Sequence, residues 1–278
     1  MDKDWFRAKA IDEYTWMIFG RDEGCTSYLL VGDDYGMMID AGFGGQNIHA
    51  FAEKLAGKTV KFVANTHGHF DHTGGNGWFP CALMSRGGAG LAREGFRTRD
   101  LPGYNDRYPV FYVEPGFEMD LGGRTVEVLP LGNHSPGSIG FLDKTHRILF
   151  TGDDIGWNSM LIYKIKEPQP SVLKYAMCLS NLMRRRGEYD ICCSGHAAEP
   201  VSADIINHSL TAALLVLDGE LGEPIIFTPP PMDENGKPRG FVMPEPEFKR
   251  CAEYKDVRFS YDARYVRDLE DHPGLLGT

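Results

Sequence analysis

The sequence predicts an α/β fold, and three observations support this class. Of the 278 residues, 42% are apolar, an ordinary fraction for a globular protein with a full core. Short apolar runs of strand length alternate with longer segments of helical spacing. The 33 glycines supply many turns, as expected where short strands and helices follow one another. A chain of this length can hold one large α/β domain or two small ones.

The first third of the chain predicts strands, one helix and then a strand that enters a polar loop. Apolar runs of strand length lie at residues 15–19, 27–31 and 37–39. Residues 46–55 show helical spacing, and residues 60–64 predict a buried strand that leads into the polar segment 65–76. Because α/β proteins often place their chemistry in such loops, this segment is the first candidate for a site.

The rest of the chain predicts further strands and helices. Residues 86–109 are expected to form a helix followed by an irregular loop that holds Tyr104 and Tyr108. Later strands are predicted at 126–131, 138–142, 148–150, 191–193 and 257–261, and later helices at 171–186 and 203–217. The proline-rich run at 228–232 is expected to be an exposed loop.

Charge and cysteine content narrow the partners and the compartment. A net charge of -10 and a pI near 5.4 disfavour a nucleic-acid partner or an anionic membrane surface, since both need a basic face. No apolar run approaches the length that spans a bilayer, so no membrane partner is expected. The six scattered cysteines are expected to be reduced thiols. No signal-peptide pattern follows Met1, so a cytoplasmic location is expected.

The segment 66–75 carries the strongest chemical signal. Four potential metal ligands lie within six residues: His67, His69, Asp71 and His72. Imidazole and carboxylate are the ligands that Zn²⁺ accepts when a site stays open for water. The first two histidines alternate and point the same way in an extended stretch, while a turn at Phe70 lets Asp71 and His72 face a second metal. The alternative is a polar loop that is rich in histidine by chance.

Three downstream loops supply what such a site would lack. His134, Asp153 and His196 each follow a predicted strand and each lie in a loop that contains glycine. A lone His or Asp next to glycine usually belongs to an ordinary turn. Because all three occur at strand-to-loop junctions together with the upstream cluster, a shared site is the better interpretation.

These segments together resemble the motifs of the metallo-β-lactamase superfamily. Residues 66–75 are similar to its T-H-x-H-x-D-H-x-G-G motif, and residues 151–153 match its T-G-D. Residues 132–138 resemble its G-H-T-P-G-S segment, with Asn133 and Ser135 as variations around His134. Gly195 and His196 resemble its last ligand loop, and residues 28–31 followed by residues 39–42 resemble its first strands. The motifs are most similar to those of glyoxalase-II-like and lactonase-like members.

The resemblance implies a fold, a domain division and a ligand set. The implied fold is a four-layer αββα sandwich with the metals in a groove at one sheet edge. Residues 1–222 would form the catalytic domain, and residues 223–278 a C-terminal extension packed on or extending it. His67, His69 and His134 would bind the first metal; Asp71, His72 and His196 the second; Asp153 would bridge both. The expected cofactors are two divalent ions, with Zn²⁺ favoured and Fe or Mn also compatible.

Asp153 helps to distinguish between subfamilies of the superfamily that the chain resembles. Zinc β-lactamases of the superfamily generally lack a bridging aspartate there, so β-lactam turnover is disfavoured. Thioesterases of the glyoxalase II type, lactonases and some phosphodiesterases keep it. The neighbouring Asp154 is expected to support the site without binding metal.

The leading hypothesis is a hydrolase that cleaves a lactone, thioester or ester of a small molecule. A water shared by two ions would lose its proton near neutral pH and attack the carbonyl, and Asp71 would return a proton to the leaving group. Trp157, Tyr104, Tyr108 and residues 160–163 are candidates for an apolar rim. Packing of 160–163 in the core or in a homodimer contact is an open alternative.

Two other activities remain open from the sequence. The first is phosphodiester cleavage, against which the acidic charge counts; Arg93, Arg97 and Arg99 are the one local basic group. The second is the oxygenase chemistry of persulfide dioxygenases, which resemble this motif but use one iron bound by two His and an Asp. Metal analysis separates the iron enzyme from a hydrolase. A binding protein on a degenerate scaffold is disfavoured because all seven ligands are present.

Overall fold

A computed structural model of the chain describes residues 5–21, 24–95, 101–156, 160–162, 171–239, 243 and 245–267. Its first sheet has seven strands in sequence order, antiparallel from β1 to β4 and parallel from β4 to β7. These strands are β1 (Phe6–Asp12), β2 (Thr15–Gly20), β3 (Thr26–Val31), β4 (Gly36–Ile39), β5 (Val60–Ala64), β6 (Ala82–Met84) and β7 (Val110–Tyr112).

The remaining strands form a second and a third sheet. They are β8 (Glu118–Asp120), β9 (Thr125–Pro130), β10 (Ile139–Asp143), β11 (Ile148–Gly152), β12 (Met160–Ile162), β13 (Ile191–Ser194), β14 (Val201–Ser202), β15 (Glu223–Pro224), β16 (Lys249–Tyr254) and β17 (Val257–Asp262). The second sheet has the order β14-β13-β11-β10-β9-β8, and the third has the order β12-β17-β16-β15.

Five α-helices accompany these sheets in the described part of the chain: α1 (Ile48–Ala56), α2 (Phe70–Thr73), α3 (Arg86–Gly95), α4 (Val172–Arg184) and α5 (Asp204–Leu217). Side chains fix several of their ends. The Asn47 side chain accepts the N–H of Ala50 at the start of α1, and Gly57, in the left-handed conformation, ends that helix. Ser171 caps α4 in the same way by accepting the N–H of Lys174.

The helices and sheets stack in four layers. Residues from both large sheets fill the space between them, including Tyr28, Met37, Phe141 and Phe150. The outer face of the first sheet packs against α1 and α3, and the outer face of the second packs against α4 and α5. This arrangement confirms the predicted αββα sandwich, since each sheet buries one face against the other and one against helices.

The third sheet lies against the outer helices of the second sheet. Ala252, Val257 and Phe259 belong to the same buried cluster as residues of α4 and α5. Strand β12, from the middle of the chain, pairs in parallel with β17, near the end of the described residues. The C-terminal segment therefore shares a core and a sheet with residues before position 222.

The topology brings five strand ends to one edge of the sandwich. The parallel pairs β4–β5 and β11–β13 point their carboxyl ends the same way, and β9 ends at this edge as well. Loops that follow these ends are where α/β folds position ligands. Among the described residues, no helix has the length and apolar character needed to cross a bilayer. All six cysteines are free thiols.

Candidate metal centre

The structure brings the seven predicted ligand residues together at this edge. Asp71 and His72 lie in α2, directly after β5, with His67 and His69 immediately before the helix. His134, Asp153 and His196 follow β9, β11 and β13. Three overlapping groups have ligand atoms that all lie within 4.8 Å of one another: His67, His69 and His134; His67, His72 and Asp153; Asp71, His72 and His196.

Three imidazoles form the first group. Nδ1 of His69 lies 3.0 Å from Nε2 of His67 and 2.9 Å from Nε2 of His134. The three rings stand nearly perpendicular to one another, with centroids 4.6–4.8 Å apart. Three ring nitrogens therefore face a common point.

Asp71, His72 and His196 form the second group. Oδ2 of Asp71 lies 3.6 Å from Nε2 of His72 and 3.6 Å from Nε2 of His196. One carboxylate thus faces two imidazoles that come from opposite halves of the chain. His72 is buried, whereas His196 is exposed at the mouth of the site.

Asp153 lies between the two groups. Its Oδ2 is 3.5 Å from Nε2 of His134 and 3.0 Å from Nε2 of His196, and its Oδ1 is 3.4 Å from Nε2 of His72. The carboxylate therefore contacts histidines of both groups, as a bridging ligand would.

The donor set fits a pair of divalent ions. Two nitrogens that each lie about 2.0–2.1 Å from a tetrahedral Zn²⁺ are about 3.3 Å apart, close to the separations of 2.9–3.6 Å in this cluster. Nε2 of His72 and Oδ1 of Asp153 are buried and make no hydrogen bond within the described part of the chain. Such groups are costly to bury unless something else satisfies them, and a cation between them would do so.

Burial sets the charge state of two of the histidines. Burial lowers the pKa of His134 to about 4 and lowers the pKa of His67 well below its ordinary value. Both rings are therefore neutral at pH 7 and keep the lone pair that binds a metal.

His72 and Asp153 behave in the opposite way. Although burial opposes the charged form of each, Asp153 and Asp40 hold the pKa of His72 well above its ordinary value. Burial also raises the pKa of Asp153, but His72 and His196 outweigh it and hold that pKa well below its ordinary value. His67 and His134 are therefore neutral, while the contact between His72 and Asp153 favours the charged form of both groups.

Hydrogen bonds on the far side of three rings fix their orientation. Nδ1 of His72 donates to Oδ2 of Asp40 at 2.8 Å, and Nδ1 of His196 donates to the carbonyl of Gly24 at 2.7 Å. Nδ1 of His67 lies 3.1 Å from Oγ1 of Thr66, which itself donates to Asp40. These bonds leave Nε2 of each ring free to face the common site, as outer partners of metal-bound histidines do.

Asp40 is a site residue that the sequence analysis did not single out. It directly follows β4 and accepts hydrogen bonds from the backbone and the side chain of Thr66 as well as from His72. A detectable signal was its position, since an acidic residue directly after a buried strand is a candidate for the same sheet edge.

Two glycines leave room for the ligands. A Cβ at Gly195 would lie 2.6 Å from Cε1 of His72 and against Oδ1 of Asp153. Gly152, with φ of 52°, packs against the side chain of Thr66. Both positions need a residue without a side chain because the loops approach each other closely.

An aromatic pair stands beside the ligands. The ring of Phe70 is 58% exposed and meets Phe43 edge to face at 5.1 Å. Because Phe70 lies between His69 and Asp71 in the chain, it gives the site an apolar side. The sequence analysis used Phe70 only as a turn position, so it missed this surface.

The structure describes only part of the apolar rim that the sequence predicts around the site. The hydroxyl of Tyr104 donates to the carbonyl of Gly74 at 2.9 Å, and its ring packs on Trp78, so this tyrosine supports the ligand turn. Residues 160–162 form β12, whereas Trp157 and Tyr163 lie outside the described residues. Arg97 and Arg99 also lie outside them.

Comparisons with known proteins agree with this geometry. A family model for the metallo-beta-lactamase superfamily matches residues 20–155. The solved structure of a metallo-beta-lactamase from Pontibacter korlensis superposes with a TM-score of 0.58 at 17% identity, covering 75% of this chain and 99% of that one. Likeness at this identity shows the fold alone. The chain therefore has the metallo-β-lactamase fold and is similar to that superfamily in its motifs and in the matched segment.

The chain is also similar in sequence to two kinds of hydrolase. An acyl-coenzyme A thioesterase, MBLAC2, from Gallus gallus is 28% identical over 199 residues, which cover 61% of this chain and 71% of the relative. A hydroxyacylglutathione hydrolase from Maricaulis maris is 26% identical over 197 residues, which cover 68% of this chain and 71% of the relative.

Proposed function

We propose that this chain is a binuclear metal-dependent hydrolase of ester-like bonds, with thioesters as the favoured substrates. The observation that carries the proposal is the convergence of five histidines and two aspartates from four loops. The names of two relatives support the bond type, since one is a thioesterase and the other a hydrolase of an acylated glutathione. Lactones and simple esters belong to the same proposed class.

The proposed ligands divide into two sets that share Asp153. His67, His69 and His134 would hold one ion, and Asp71, His72 and His196 the other. Zn²⁺ is the favoured metal, while Fe and Mn accept the same ligand types. When bound, such ions act as Lewis acids and lower the pKa of a coordinated water to about 7.

The residues around the site would orient the histidine rings and provide an apolar surface for the substrate. Asp40 and Gly24 hold the rings of His72 and His196, so the approach of a substrate does not require these side chains to reorganise. Phe70 and Phe43 provide an apolar surface for the acyl part of a substrate. Asp71 would carry a proton from the attacking water to the departing thiol or alcohol.

The cellular setting completes the proposal. We propose a cytoplasmic location, for which the six free thiols give support because a reducing compartment preserves them. A small-molecule substrate is expected, with no nucleic-acid or membrane partner. A homodimer stays a prediction, which light scattering on the purified protein would check.

Metal content and a substrate panel test the proposed activity. We expect about two metal ions per chain by elemental analysis, together with turnover of acyl thioesters. The panel includes a lactone, a β-lactam and a phosphodiester as comparison substrates. A single iron accompanied by oxygen consumption would contradict hydrolysis, and turnover of the phosphodiester alone would contradict the bond type.

The role of Asp71 is tested separately. We expect Asp71→Asn to lower kcat about 100-fold or more, because the amide cannot take up and release the proton. Metal content is measured on the same preparation, so that loss of an ion is distinguished from loss of proton transfer. A variant that kept both metals and full turnover would remove this role.

A further inference from the structure

Asp154, the residue after Asp153, places a carboxylate beneath the loop that holds His134. Its side chain is buried, with 1% of its surface exposed. Oδ1 accepts the backbone N–H of Asn133 at 2.6 Å and that of His134 at 3.1 Å. The side chain of Ser138 also hydrogen-bonds to it. One buried oxygen therefore holds two consecutive amides of the His134 loop.

His134 is attached to the protein differently from three other histidines of the site. The rings of His67, His72 and His196 each have a hydrogen-bond partner on Nδ1. Nδ1 of His134 is buried without a partner among the described residues. Because no such bond on its far side orients this ring, its position depends on the backbone that carries it.

Asp154 also links two ligands of the site. It shares a tight turn with Asp153 after β11, in which its own N–H donates to the carbonyl of Thr151 at 3.2 Å. Oγ1 of Thr151 donates to the carbonyl of Ile155 across the same turn. A single rigid turn therefore carries Asp153 and fixes the loop of His134, so it sets the separation of these two residues.

The hydrogen-bond donors of the loop offset part of the cost of burying this carboxyl group, although burial still raises the pKa of Asp154 to about 7. In the described part of the chain, no Lys or Arg forms an ion pair with Asp154. Hydrogen bonds from residues 133, 134 and 138 stabilise its carboxyl group instead. An acid in this position is costly unless those donors are present, and the donors are equally costly to leave unpaired.

We infer that Asp154 is a positioning residue, which holds His134 in place for metal binding through the backbone amides of residues 133 and 134. This inference rests on the metal site of the proposed function. Asp154 itself does not contact the substrate or the metal. It acts in place of the ring hydrogen bond that His67, His72 and His196 have and His134 lacks.

Two near-isosteric variants test the inference by metal titration. Asp154→Leu removes the acceptor, whereas Asp154→Asn keeps an oxygen that can accept both amides. The full-length proteins are stripped with a chelator and titrated with Co²⁺ against a chromophoric competitor. We expect Asp154→Leu to weaken one Co²⁺ dissociation constant about 10- to 100-fold, the usual effect of losing an outer partner, with a changed ligand-field spectrum. Asp154→Asn should stay within about threefold of the parent.

Asp143→Asn is the matched control, because Asp143 is an equally buried carboxylate at the opposite end of the sheets. It should lower the melting temperature without changing either dissociation constant. Parent-like Co²⁺ binding by Asp154→Leu would overturn the inference and leave the proposed function intact. Equal weakening by Asp154→Leu and Asp154→Asn would also overturn it, since charge would then be the cause. A parent that binds no metal would overturn both proposals.

Amide hydrogen exchange provides a test that does not depend on any variant folding. In the parent protein stripped of metal, the amides of Asn133 and His134 should exchange slowly because Asp154 accepts both. Exchange as fast as that of an exposed loop would overturn the inference.

Discussion

At the residue scale, Asp40 shows how a strained backbone can serve a site. Its φ of 56° lies in the left-handed region, which few residues other than glycine adopt and which Asp and Asn tolerate best. Three hydrogen bonds hold it there: two from Thr66 and one from His72. Because the surrounding contacts fix this conformation, the carboxylate is already aimed at His72 before any ligand arrives.

Phe70 is expected to influence substrate affinity. We predict that Phe70→Ala raises KM for thioesters with an apolar acyl chain about tenfold, since the loss of apolar contact weakens binding. The effect on kcat should be small. Steady-state kinetics with a short and a long acyl chain would check this. Phe111→Ala, which removes an equally exposed phenylalanine from β7, is the control, and an equal KM change in both variants would contradict the prediction.

The sequence identified the candidate metal ligands from their motifs but assigned no role to residues that contact them from other segments. The seven candidate ligands lie in short segments that contain glycine and resemble known motifs, so each could be proposed from its local sequence. Asp40 and Phe43 lie outside the ligand motifs, and their contacts with His72 and Phe70 cross 32 and 27 positions of the chain. Such partners become visible only when the fold brings the segments together.

At the scale of elements, close approach of the strand-end loops leaves little room for side chains. We predict that Gly195→Ala disrupts the site while the fold survives, because the new Cβ would push against His72 and Asp153. Metal content should fall below the parent value, with an unchanged circular dichroism spectrum. Gly187→Ala is the control, since a Cβ there meets no atom within 4 Å. Full metal content in Gly195→Ala would contradict the prediction.

An ion pair between Glu127 of β9 and Arg185, directly after α4, makes the stability of the fold depend on pH. Arg185, with Lys144, holds the pKa of Glu127 at about 2, below its ordinary value of 4.5. Because the folded state favours the ionised form, this contribution is complete above about pH 4.5 and is lost as the pH falls towards about 2.

The expected result is a difference in stability that shrinks in acid. We predict that Glu127→Gln unfolds more easily than the parent at pH 6, and that the two converge between pH 4.5 and pH 2. Urea unfolding at several pH values would measure this. Glu220→Gln, at an exposed position, is the control, and a difference that stays constant with pH would contradict the prediction.

The prediction of elements succeeded where apolar patterns are long and failed where they are short or absent. The strands predicted at 15–19, 60–64 and 191–193 correspond to β2, β5 and β13. β1 was missed because none of its residues is fully buried, so no buried alternation marks it. β6 and β7 have three residues each, which is too short for a periodic signal.

At the scale of the whole molecule, Arg124 links the two large sheets by hydrogen bonds at the end away from the candidate metal centre. It is 2% exposed and pairs with the fully buried Asp143. Its guanidinium also donates to the carbonyl of Tyr14, in the turn between β1 and β2, and to that of Val31, at the end of β3. One side chain of the second sheet thus satisfies two backbone groups of the first.

Loss of Arg124 should therefore destabilise the fold as a whole. We predict that Arg124→Met lowers the free energy of unfolding by about 3–5 kcal/mol, because it leaves Asp143 buried and unpaired. Urea denaturation would measure the change. Arg147→Met removes an exposed pair with Asp190 and should have little effect. Similar stability of the two variants would contradict this interpretation.

The C-terminal residues also concern the molecule as a whole. We propose that residues 223–278 extend the catalytic domain formed by residues 1–222. The pairing of β12 with β17 and the shared core of α4, α5 and the third sheet support this proposal. The sequence could not predict the pairing, because short strands about a hundred positions apart carry no local sign of their partner.

The candidate ligands come from both large sheets, and metal binding by them would have a thermodynamic consequence. His67, His69, Asp71 and His72 follow a strand of the first sheet, while His134, Asp153 and His196 follow strands of the second. Ions held by this set would bind the folded chain and not the unfolded one, adding about 4 kcal/mol to folding at a thousandfold excess over the dissociation constant. The two large sheets would then be linked at one end by the Arg124–Asp143 ion pair and at the other by metal ions that can dissociate. Scarcity of metal in the cell would therefore loosen the sandwich at its catalytic edge first and shorten the lifetime of the protein.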